Sequence, residues 1–203
     1  MENVTKNLFL TGPIGSGKST SIASALETSL AQAGGFLTVR QRDDRGQAVA
    51  FWLKRPDGRS GKIFLDRTAG QYAVHLDVFD DFGVQLLEEA EQCAFAVLDE
   101  IGGVEVLSET FMAALARLLE SDIPCIGVMK GEGPAGKLIQ KLGLGDAYIQ
   151  KAEQLRQWLR EDENTLLYEC GQFDPEGQNL TKAWVGRFCK KEMTEEMRIV
   201  QEG

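Results

Sequence analysis

Gly12-Pro13-Ile14-Gly15-Ser16-Gly17-Lys18-Ser19 follows directly on the apolar run Leu8-Phe9-Leu10 and is followed by Ile22, Leu26 and Leu30 at helical spacing. Strand, glycine loop and helix in that order, with Gly-x4-Gly-Lys-Ser at the joint, is the pattern of a phosphate-binding loop. Glycines leave backbone N–H groups free to converge on phosphate oxygens at the positive end of the coming helix. Lys18 is expected to reach the β and γ phosphates and Ser19 to ligate Mg²⁺. The nucleotide-binding segment is therefore read as Gly12, Pro13, Ile14, Gly15, Ser16, Gly17, Lys18, Ser19 and Thr20.

Working outward, Gly34-Gly35 reads as the stop of this helix, and Phe36 to Val39 as the next strand of a parallel sheet. From about residue 40 to 77 the pattern changes to short strand-like pieces, Ala48 to Leu53, Ile63 to Leu65 and Tyr72 to Leu76, with Pro56-Asp57-Gly58 as a turn. This predicts an antiparallel β insertion. Helical periodicity returns with Phe79, Phe82, Leu86 and Ala90, before the apolar strand Ala94 to Leu98 ends in Asp99-Glu100. Ser108 reads as the N-cap of a helix that buries Phe111, Leu115 and Leu118, and Pro124 to Met129 as a further strand. The alternation is that of a doubly wound α/β fold. Later signals are weaker: a helix around Leu155, Trp158 and Leu159, a short strand at Leu166 to Tyr168, and a terminal helix carrying Trp184, Phe188 and Met193. The expected organisation is a domain over 1–169 with a helical C-terminal extension over 170–203, the latter available to a protein partner.

The chain has 203 residues and a formal net charge of −9, from 22 Lys+Arg against 31 Asp+Glu, which argues against DNA or an acidic membrane as the main partner. Its longest apolar stretch, Cys93 to Leu98, is far short of the ~20 residues that span a bilayer. With no basic, apolar leader pattern at the N-terminus, a cytoplasmic protein is expected. Cys93, Cys125, Cys170 and Cys189 lack the spacing of a zinc site and read as free thiols.

Asp99, at the end of an apolar strand, stands where such a fold places a carboxylate to hold Mg²⁺. Glu100 beside it can orient or deprotonate an attacking water, and Glu105 is a second candidate for that task. Arg40, Arg42, Arg45, Lys54, Arg55, Arg59, Lys62 and Arg67 make a local positive field on an acidic chain, suited to phosphate charge. His75, the chain's one histidine, reads as structural.

Beyond the loop, the chain resembles a small P-loop nucleoside-triphosphatase family, first described from thermophiles and also known as cancer-related nucleoside triphosphatase. The resemblance rests on Leu8 to Ser19, Gly35-Phe-Leu-Thr38, Gly70-Gln-Tyr-Ala-Val74, and Leu98-Asp-Glu-Ile-Gly-Gly-Val-Glu-Val-Leu-Ser108 with Phe111 after it. It implies a three-layer α/β fold, mostly parallel, and Mg²⁺-dependent hydrolysis of ATP, GTP and other triphosphates with loose base preference. Lys18, Ser19, Asp99 and Glu100 stand on its motif positions, and its arginine falls on Arg42 or Arg45. The chain departs from it at His75, where an acid is expected, and at Val128, where a polar residue is usual. A P-loop kinase for a nucleotide or small molecule, or a nucleotide-dependent switch, is the alternative. The absence of arginine from Lys130 to Lys137 favours hydrolysis over a kinase lid.

Overall fold

Leu8, Phe9 and Leu10 lie fully inside, because β1 (Asn7–Thr11) is an inner strand flanked in parallel by β7 (Cys125–Met129) and β8 (Thr165–Glu169). The computed structural model describes residues 4–27, 29–68, 71–131, 142–172 and 174–189. Among these, β2 (Ala33–Arg42), β3 (Ala48–Lys54), β4 (Gly61–Thr68), β5 (Gln71–Val74) and β6 (Phe95–Ile101) complete one sheet in the order β5-β4-β3-β2-β6-β7-β1-β8. The five strands from β2 to β8 are parallel, while β3, β4 and β5 extend the sheet antiparallel beyond β2.

Helices cover both faces, as the uninterrupted apolar character of β6 and β7 requires. On one face α1 (Lys18–Leu26) and α5 (Pro175–Phe188) enclose Leu8, Leu10, Ile22, Leu26, Phe95 and Trp184. On the other, α2 (Val84–Ala90), α3 (Glu109–Glu120) and α4 (Asp146–Glu161) cover the larger core. Within it the rings of Phe36, Phe111, Phe79 and Phe64 meet in sequence, with the Phe79 and Phe111 centroids 5.4 Å apart edge to face. Ser108 caps α3 as expected, accepting from the Phe111 N–H at 3.1 Å, and Phe111, Leu115 and Leu118 are buried. No helix among the described residues is long and apolar enough to cross a membrane.

One expectation is corrected and two are made more precise. Gly34 and Gly35 do not end a helix: α1 stops at Leu26 and both glycines lie inside β2. A Cβ at Gly34 would stand 2.4 Å from Ala90 Cα, and at Gly35, which has φ +84°, 2.2 Å from the Val97 carbonyl oxygen. The pair lets α2 and β6 approach β2 closely. The antiparallel region, expected from about residue 40, begins at Leu37: β2 pairs with β6 through Phe36 and with β3 from Leu37 onward. One strand thus belongs to both halves of the sheet. Finally, residues 175–188 pack on the core. Trp184 is fully buried and donates through Nε1 to the Lys6 carbonyl at 2.9 Å, and Asp174 caps the helix by accepting from the Glu176 and Gly177 N–H groups. The Met193 part of the expected terminal helix lies outside the described residues, as do 132–141, which hold most of the arginine-free stretch from Lys130 to Lys137.

Candidate active site

The C-terminal ends of β1, β6 and β7 open onto a cleft of about 510 Å³, where α/β sheets of this kind place their ligands. The turn leaving β1 starts at Gly12, with φ +119°, and a Cβ there would meet the Cys170 carbonyl oxygen at 2.3 Å. Glycine is required because the chain after β8 crosses immediately behind the loop, where the Cys170 N–H also donates to the Thr11 carbonyl at 2.8 Å. Gly12, Ile14, Gly15, Gly17, Lys18 and Ser19, with Thr20 beyond them, line the cleft. Pro13 and Ser16 instead help to hold the lysine: Lys18 Nζ donates to the Pro13 carbonyl at 2.6 Å, to Ser16 Oγ at 2.9 Å and to the Gly12 carbonyl at 3.1 Å. Partial burial lowers the Lys18 pKa.

Ser19, in the first turn of α1, donates to Asp99 Oδ1 at 3.0 Å. Thr38 on β2 fixes Asp99 from the other side, with its N–H 3.4 Å from Oδ2 and its hydroxyl donating to the Asp99 carbonyl at 3.0 Å. Burial, reinforced by the neighbouring Glu100 charge, pushes Asp99 from 3.8 up to about 6. A hydroxyl and a buried carboxylate side by side form a hard-oxygen donor pair that a divalent cation would relieve of its desolvation penalty. Mg²⁺ characteristically takes one or two protein oxygens and completes its shell with phosphates and water. Ser19 and Asp99 therefore fit the group, and among the described residues no cluster of three or more His, Cys, Asp or Glu offers a fuller protein cage.

Adjacent residues of a regular strand face opposite sides of the sheet, yet Asp99 and Glu100 both line the cleft. Glu100 has φ +63°, the one positive value at a non-glycine among the described residues, and the β6–β7 register shifts between Leu98 and Ile101. This irregularity re-aims the second carboxylate, a strain of about 1–2 kcal/mol that the neighbouring pairing sustains. Arg40 pairs with Glu100 Oε1, and Lys130 Nζ lies 3.7 Å from Oε2. Oε2 is buried and accepts no hydrogen bond.

The arginine that enters the cleft is Arg40, not the expected Arg42 or Arg45. Arg42 donates to the Gly46 carbonyl at 2.7 Å and Arg45 sits in the same exposed β2–β3 turn. Glu105 is away from the cleft as well: it is buried in the loop after β6, where it accepts from the Gly103 N–H at 2.7 Å. Burial pushes its carboxyl up, partly opposed by the Lys130 charge. His75 pairs with Asp66 at 2.7 Å on the antiparallel extension, a structural contact. Sequence reasoning missed the site roles of Thr38 and Lys130 and placed Arg40 only within the general positive field of residues 40–67. Thr38 and Arg40 alternate along β2 toward one side, a signal available once the strand's register is known.

The profile of a family described as NTPase matches residues 7–172. Nucleoside-triphosphatase THEP1 of Methanosarcina barkeri is 32% identical over 144 residues, 66% of this chain and 82% of that protein. The protein of the same name from Thermofilum pendens is 31% identical over 157 residues, 71% of this chain and 85% of its own length. The cancer-related nucleoside-triphosphatase homolog of Mus musculus is 29% identical over 136 residues, 58% of this chain and 71% of that one. The crystal structure of THEP1 from Aquifex aeolicus superposes with a TM-score of 0.57 over 91% of this chain and 99% of the other, at 19% identity, a likeness of fold.

Proposed function

The chain belongs to the NTPase family, and from that membership and the geometry of the cleft we propose that it hydrolyses nucleoside triphosphates, ATP and GTP among them, to nucleoside diphosphate and phosphate with Mg²⁺. The observation that carries this reading is the convergence of Lys18 and Ser19 from α1 with Asp99 and Glu100 from β6 on one cleft. Ser19 and Asp99 would hold Mg²⁺, which when bound neutralises charge on the β and γ phosphates. The loop N–H groups and Lys18 bind and orient the phosphate chain. Glu100 receives the water: its Oε2, buried without a hydrogen-bond donor, is the acceptor available for a water proton. The water oxygen bonds to the γ-phosphorus as the bond from that phosphorus to the β,γ-bridging oxygen breaks. The electron pair leaves on the diphosphate, and the proton passes to Glu100. Arg40 faces the same region and can stabilise charge on the transferring group.

None of the described residues lining the cleft is aromatic, and the loop glycines and Lys18 share its lining with Ile14, Val39, Val128 and Met129. We include loose base preference in this reading, supported by a described lining that offers no ring for a base to stack on. A cytoplasmic setting agrees with the four free cysteines.

Lys18→Ala tests the site directly. Among the described residues its ammonium bonds only to its own loop, so the variant should stay folded, with stability within about 0.5 kcal/mol of the parent. Calorimetric titration with Mg-ATP should show binding weakened beyond the millimolar range. Millimolar or tighter affinity in that variant would contradict the site.

A further inference from the structure

Val128 and Lys130 alternate with Met129 at the end of β7, and all three line the cleft. The apolar Val128 leaves this strand without a polar contact at its own position, and the residue two places on supplies one. The Lys130 backbone is fixed at both groups: its N–H donates to the Ile101 carbonyl at 2.8 Å and its carbonyl accepts from Arg156 Nη2 of α4 at 2.6 Å. The side chain then passes beside Gly103, where a Cβ would lie 2.6 Å from Nζ. Its ammonium ends 3.7 Å from Glu100 Oε2, too far for a hydrogen bond, and 21% of the side chain is exposed. An anchored lysine whose ammonium stands between Glu100 and the buried Glu105, 3.7 Å from the former, and faces a phosphate cleft is poised to change partner.

We propose that Lys130 is a catalytic cation for the terminal phosphate: when a triphosphate occupies the loop, its ammonium moves from Glu100 to the γ-phosphate oxygens. Strand β7 thereby contributes a second positive group to the transferring phosphoryl, alongside Lys18. The same exchange leaves Glu100 Oε2 facing water instead of an ammonium. A diphosphate, lacking the γ group, leaves Lys130 on Glu100, so the two nucleotides are distinguished by this residue. The proposal rests on the triphosphatase reading for its chemical step, but its binding consequence can be measured separately.

The experiment compares the full-length chain with Lys130→Met, which keeps the apolar stem, and Lys130→Arg, which keeps the charge. Affinities for the imido analogue AMP-PNP and for ADP, each with Mg²⁺, are measured beside phosphate release from ATP and the thermal midpoint. Lys130→Met should lose AMP-PNP affinity about tenfold while ADP affinity stays within about twofold, with phosphate release about 100-fold slower. Lys130→Arg should recover part of both losses. Retention of the parent's AMP-PNP-over-ADP preference in Lys130→Met overturns the proposal. So does an equal loss of both affinities with a lowered midpoint, the result of a merely structural lysine. If the parent releases no phosphate from any triphosphate, the hydrolase reading fails, and the nucleotide preference still decides the role of Lys130.

Discussion

The Arg40 guanidinium pairs with the Glu100 carboxylate across the joint between β2 and β6, at the point where the sheet passes from parallel to antiparallel pairing. Because β2 belongs to both halves of the sheet, its side chains at this joint face the phosphate loop, whereas those only two residues further along reach the hairpin turn. Position along one strand therefore separates a group that can meet substrate from a surface charge. Arg40→Ala should slow phosphate release about 10- to 100-fold. Arg42→Ala, which loses only the bond to the Gly46 carbonyl, should leave the rate unchanged and stability within about 0.5 kcal/mol. Steady-state phosphate assays on the two variants, side by side, check the assignment. The reverse ranking would return the role to Arg42.

Trp184 ties α5 to the core through its buried ring, 6.1 Å from Phe95 and edge-on to it, and through the Nε1 bond to Lys6. Trp184→Ala should cost about 3–5 kcal/mol in urea unfolding. Trp184→Phe, which keeps a ring but orphans the Lys6 carbonyl, should cost about 1–2 kcal/mol. A helix that serves only to meet a partner would show neither loss.

Cys125 is fully buried on β7, and desolvation pushes its thiol from 9.0 up to about 12. Alkylation requires thiolate. Iodoacetamide at about pH 8 should spare Cys125 in the native protein and modify it once denaturant is added, as peptide mapping can show. The folded pKa lies above the unfolded one, so this thiol's contribution to stability is complete below pH 9.0 and is lost as pH rises toward about 12. Cys125→Ala should flatten that alkaline decline. Modification of Cys125 in the native state at the rate of an exposed thiol would contradict its burial.

The loop and Asp99 were legible in the sequence because their chemistry is written in contiguous residues: glycines and a lysine between a strand and a helix, and an acid ending an apolar run. The Ser108 cap was legible for the same reason. What escaped depends on contacts between distant segments. Gly34-Gly35 carries the same local signal whether it stops a helix or admits Ala90 and Val97 at close range, and only the packing of α2 and β6 on β2 decides. Arg40 was passed over for Arg42 and Arg45 because the point at which β2 changes partners is set by pairing with β3, not by β2's own composition. Docking of α5 rests on Trp184 reaching Lys6 across 178 positions of chain. Glu100's positive φ has no sequence marker at all, since a glycine would ordinarily announce it.

In the proposed reaction this cleft hydrolyses triphosphates with Glu100 serving the water. Phosphate release from ATP, GTP, CTP, UTP and dATP with Mg²⁺, measured for the parent chain and for Glu100→Gln, tests it most directly. Slow release from several of the five nucleotides is expected, reduced at least about 100-fold in Glu100→Gln while ATP binding is kept. An unchanged rate in the variant would contradict the role of Glu100. No release from any nucleotide by a parent chain that binds ATP would contradict hydrolysis itself and turn the search to a phosphoryl acceptor.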